Sequence, residues 1–166
     1  MPPMVTKHQS HSYPAIIAAT VLLMVLGCGL PENFNEAIRY YDDSTGTVTI
    51  LQNYEAKLRC LANKAADGNI PDGWQQEVGR IKAELEKQIA TEKQSMGERN
   101  EKLKMKYEML NWLEALRAAC EEGLKPAPSP EKTAVGMYRY LDLAGEMGRI
   151  VRSDREMLAG HYRSLH

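Results

Sequence analysis

Three cysteines, two histidines outside the first 27 residues and a few adjacent carboxylates are the groups in this 166-residue chain that could do chemistry. Their spacing argues against most of it. Cys28, Cys60 and Cys120 form no Cys-x-x-Cys pair, which excludes the redox, zinc and c-type haem patterns. A nucleophilic cysteine needs a histidine or a helix N-terminus to lower its pKa. Cys120 instead falls at the C-terminal end of a helical stretch, where the dipole works against a thiolate. His161 and His166 lie in the last turns, and no acidic residue stands at a spacing that would complete a metal site. Glu121 and Glu122 are adjacent on a helix and so do not face each other, while Asp42 and Asp43 read as a turn. The chain contains no Gly-x-Ser-x-Gly, phosphate loop or dinucleotide fingerprint. No catalytic, metal-binding or cofactor-binding residue is assigned, and the chain is read as not an enzyme.

The N-terminal segment is more specific. Residues 14–26 are an uncharged apolar run, preceded by Lys7 and by no acidic residue, and ending at Gly27-Cys28-Gly29. A basic residue, an apolar core and a small residue in that order mark a secretory signal. Export places Cys60 and Cys120 in an oxidising compartment. Cys60 lies about 140° from the centre of its helix's apolar stripe at roughly 100° per residue. An exposed thiol there does not stay free for long, so a Cys60–Cys120 disulfide is expected, worth about 4 kcal/mol for a loop of roughly 60 residues. The alternative is two buried thiols.

The run Val25-Leu26-Gly27-Cys28 resembles the lipobox of bacterial lipoproteins. The resemblance covers residues 1–29 and no family is suggested for the rest. It implies cleavage before Cys28 and palmitate-type lipid on that residue, which would hold the protein in the cell envelope facing the periplasm. In that family an Asp after the cysteine favours the inner membrane; Gly29 points instead to the outer one. The alternative is a retained transmembrane anchor over residues 14–30, although the uncharged run is shorter than the roughly 20 residues a span needs.

Beyond residue 27 the chain has 20 basic and 22 acidic residues, since Lys7 is the single charged group removed. That balance is no footprint for nucleic acid. The stretch 28–46 reads as a tether with a short helix from Asn33 to Tyr41, or else as a hairpin pairing 38–41 with 47–50. Residues 47–166 read as a helical domain. Leu51, Tyr54, Leu58, Leu61 and Ala65 fall on one helical stripe over 49–66. Thr49 with Gln52 forms a capping-box pattern, and Gly68 suits the left-handed stop.

From Asp72, read as the next cap, Trp74, Val78, Ile81, Leu85 and Ile89 form a second stripe. Met105, Met109, Trp112, Leu116 and Ala119 form a third, closed by Gly123 and Pro126. Between them lies a polar stretch, 91–102, whose one large apolar residue is Met96. It fits one continuous helix of about 50 residues, roughly 75 Å long, or a hairpin turning near Gly97. The continuous helix is the expected form, because a single glycine costs only about 1 kcal/mol. After the proline-rich 125–130, Ser129 caps a last helix striped by Ala134, Met137, Leu141, Ala144, Gly148 and Val151. Its costly mid-helix Gly145 and Gly148 suggest close approach of a neighbour.

The expected fold is an all-α bundle with one long helix, or a helical hairpin, behind an N-terminal anchor. The expected function is that of an envelope lipoprotein held by lipid on Cys28, touching a protein partner and taking no small-molecule substrate. The alternative is an accessory subunit of a membrane complex, with residues 14–30 retained as its single transmembrane helix.

Overall fold

The computed structural model describes residues 44–95 and 104–165, with side chains through residue 160, all within the compact unit Ala37–His166. Among these residues the secondary structure is four helices: α1 Thr45–Ala66, α2 Trp74–Ser95, α3 Lys104–Leu124 and α4 Pro130–Leu165. The all-α bundle is as expected. Cys28, the apolar run, the short helix at 33–41, Met96 and Gly97 lie outside the described residues.

Each stripe becomes core. Trp74, Val78, Ile81, Leu85 and Ile89 are all buried on α2, as are Met105, Met109, Trp112, Leu116 and Ala119 on α3. On α4 the six residues from Ala134 to Val151 are buried. Leu51, Leu58 and Ala65 are buried on α1, with Val48 and Ala62 beside them and Tyr54 and Leu61 packed at the edge. Each fully buried Leu, Ile or Met stabilises the fold by about 1.5–3 kcal/mol against its exposed state. The Met105–Met109–Trp112 stretch is ordinary core.

The helices pack antiparallel in pairs. Along α1 and α4, Thr45 meets Arg155, Arg59 meets Asp142, and the Tyr138 hydroxyl donates to Asn63. Along α3 and α4, Lys104 meets Asp154 at one end, and Gly123 packs near Met137 at the other. The most extensive contact is between α3 and α4; α1 and α2 scarcely touch.

The expected continuous helix over 73–123 is corrected. Trp74 Nε1 donates to Gly123 O at 2.8 Å, Lys93 Nζ donates to Glu114 Oε1 at 2.9 Å, and Lys106 Nζ donates to Ser95 O at 3.2 Å. Such contacts require the chain to reverse between Ser95 and Lys104. The apolar stripes on α2 and α3 gain more by facing a common core than a polar centre gains by staying helical. Among the described residues the longest helix is α4, at 36 residues.

Three end signals also shift. The first helix starts at Thr45, inside the stretch read as tether. Thr49 is therefore already inside the helix, where its hydroxyl donates to Thr45 O, and Ser44 makes no side-chain capping bond. This removes the capping box and the 47–50 strand together. At α2 it is Gly73, at φ +76°, whose carbonyl accepts the first bond from Glu77 N, so Gly73 and not Asp72 holds the cap position. Gly123 does not adopt a left-handed conformation and α3 continues to Leu124. The stop at Gly68 is as expected. It sits at φ +79°, with Asn69 N donating to Lys64 O and Gly68 N to Ala65 O, the paired bonds of a Schellman motif.

Candidate functional site

The two described cysteines are free thiols, which corrects the expected disulfide. The helical stripe fixes their surroundings. Cys60 lies on the solvent face of α1, off the apolar stripe as its angle implied, and Cys120 is fully buried on α3. A disulfide requires Cβ atoms about 3.8 Å apart with compatible directions. One thiol faces solvent and the other the core, so the packing of α1 does not supply that arrangement. Burial, the largest effect, pushes the Cys120 thiol up to about 12 despite the nearby Lys82. A thiol held so far from ionisation is a packing group and not a nucleophile.

The carboxylates of the sequence reading are salt-bridged locally. Glu121 accepts from Arg117 Nη1 at 2.6 Å, and Glu122 from Lys125 Nζ at 2.5 Å. They do not converge. His161 carries no described side chain and His166 is outside the described residues. No group of three or more His, Cys, Asp or Glu that could hold a metal occurs among the described residues.

Three features were missed in the sequence. The first is the Arg59 clasp on α4. Its Nε donates to Glu55 at 3.2 Å, Nη1 to Asp142 at 3.2 Å, and Nη2 to the Leu141 carbonyl. Gly145 makes room for this guanidinium, since a Cβ there would stand 2.8 Å from Nη2. The second is a hollow of about 290 Å³ between the two loops at the Trp74–Gly123 end, walled by Ile70, Trp74 and the proline-rich 125–130 segment. A second hollow of about 420 Å³ is lined by Ile50, Tyr54, Lys57 and Arg80 of α1 and α2. Ile50 and Ile70 are both 41% exposed, so each hollow presents one open apolar side chain.

The third is a cluster at the opposite end of the bundle. Lys104 Nζ lies 3.2 Å from Glu108 Oε1 and 3.0 Å from Asp154 Oδ2, with both carboxylates largely withdrawn from water. An i to i+4 Lys–Glu pair was legible in the sequence. Its meeting with Asp154, 50 residues later, was not.

No protein-family model, curated protein or solved structure matches this chain. No helix among the described residues is long and apolar enough to cross a membrane.

Proposed function

We propose that the protein is a lipid-anchored component of the bacterial cell envelope, whose helical domain binds a protein partner and performs no catalysis. The observation that carries this reading is the run Val25-Leu26-Gly27-Cys28 closing an uncharged apolar segment, with a helical bundle downstream. Cys28 would be the lipidated residue, and the proposal places all membrane attachment there. The mature chain would face the periplasm, with Gly29 favouring the outer membrane. The sealed Cys120 thiol supports a binding role over nucleophilic chemistry. Recognition would fall to the domain's surface, where Ile50, Ile70, Val135 and Leu143 are exposed large apolar side chains.

The test is metabolic labelling with palmitate in a bacterial host, with Cys28→Ser as the comparison. The unaltered protein should take up label and fractionate with membranes, and the variant should do neither. Label persisting in the variant would overturn the anchor. An intact N-terminus in the mass spectrum would instead favour residues 14–30 as a retained span. In-cell crosslinking of the lipidated protein then identifies the partner.

A further inference from the structure

We propose that Glu108 and Asp154 form a proton-operated clasp between α3 and α4, which tightens this end of the bundle when the pair shares a proton and loosens it when both are ionised. The inference rests on the folded domain alone and is independent of how the chain is anchored.

One ammonium serves two carboxylates here. Lys104 Nζ reaches Glu108 Oε1 at 3.2 Å and Asp154 Oδ2 at 3.0 Å, and the two carboxylate side chains are only 12% and 18% exposed. Glu108 Oε2 is buried and has no hydrogen-bond partner. Asp154, held by the same ammonium, is the neighbouring carboxylate, and it too is only an acceptor when ionised. With both groups ionised the cluster holds an excess negative charge in a region partly removed from water, where like charges repel more strongly. A proton on Glu108 removes that charge and supplies the missing donor. The resulting O–H···O⁻ bond is of the short, charge-assisted kind.

The surroundings agree. Burial first, and then the Asp154 carboxylate, push the Glu108 carboxyl above its ordinary value against the pull of Lys104. The charged groups acting most strongly on Glu108 are Lys104 on its own helix and Asp154 on α4. Lys106 turns away to Ser95 at the end of α2. Arg155, next to Asp154, donates to Thr45 Oγ1 at 2.9 Å. The clasp is thereby joined to the start of α1.

The sign follows from linkage. A carboxyl whose value is raised on folding contributes stability that is complete below its unfolded value and is lost as pH rises through its folded value. The clasp therefore tightens on acidification, whereas the carboxylates held low elsewhere weaken.

The experiment uses the full chain, with carboxyl NMR titration of Glu108 and amide hydrogen exchange corrected for intrinsic rates. The Glu108 midpoint should lie above that of an ordinary glutamate. Protection of amides in 104–112 and 150–158 should rise several-fold as pH falls across that midpoint. Glu108→Gln should be pH-insensitive there and protected at every pH. Asp154→Asn should lower the Glu108 midpoint, because an amide can donate to the carboxylate. An ordinary or depressed Glu108 midpoint overturns the clasp, as does a pH step that survives in Glu108→Gln. If a variant does not fold, the titration in the unaltered chain decides alone.

Discussion

At Gly148 an added methyl would stand 2.8 Å from two ring carbons of Trp112, which is itself fully buried and capped by the Arg152 guanidinium at 6.0 Å. Neither the ring nor the helix can step aside, so Gly148→Ala is expected to destabilise by about 1–3 kcal/mol, the range for overpacking. Chemical denaturation measures it. Gly145→Ala meets the movable tip of Arg59 and should cost less. The two thiols should separate under alkylation: Cys60 reacts in the native protein, and Cys120 only after unfolding, because its thiol is buried and pushed up to about 12. Equal native reactivity would contradict the burial of Cys120. Glu114 should respond to pH in the ordinary acid sense. Burial raises its carboxyl, but hydrogen bonds from Lys93 and Arg117 outweigh this and hold it below the ordinary value. Its contribution is therefore present at neutral pH and lost as pH falls through the folded value. A Glu114→Gln variant should be weaker than the parent at neutral pH, and the difference should vanish in strong acid.

The α2–α3 hairpin is the element whose form decides the shape of the domain. In one straight helix, Lys93 and Glu114 would be about 30 Å apart at roughly 1.5 Å per residue, yet their side chains make a 2.9 Å ion pair. Spin labels at these two positions should report a short separation. A distance near the straight-helix value would restore the continuous form. The hairpin is fastened at its far end by Trp74 Nε1 donating to Gly123 O in a buried setting. Trp74→Phe keeps an aromatic ring but leaves that carbonyl without this donor, and should cost about 1–3 kcal/mol. The loss should appear as a lowered denaturation midpoint. The stop at Gly68 and the start at Ser129-Pro130 were legible because their chemistry is local: glycine takes φ +79° without strain, and a missing N–H is harmless at a first helical position. Gly123 was misread as the same kind of stop. Its cause is packing against Met137, whose Sδ would lie 3.0 Å from a Cβ there.

Across the whole molecule, the amino-acid order determined the helical class and most core positions, although Val48, Ala62, Leu113, Ala115 and Cys120 joined the core from outside the named stripes. Apolar residues at 3-4 spacing must be buried whichever neighbour covers them, so the four stripes survive any arrangement of the helices. The same angular arithmetic placed Cys60 away from the core, and the two mid-helix glycines on α4 were correctly read as sites of close approach. Pairing was decided by the tertiary structure. A period of 3.6 residues reports which face is apolar but not which helix meets it. A polar stretch such as 91–102 reads as a straight rod when the gain from joining two buried faces is not counted. Spacing placed Cys60 off its stripe, but the distance between Cys60 and Cys120 depends on how α1 meets α3, which no spacing rule gives. The meeting of Glu108 with Asp154 around one lysine was equally hidden, because it depends on the antiparallel register of α3 against α4. Local chemistry fixes elements and their ends, whereas long-range juxtaposition is fixed only when the buried faces choose their partners.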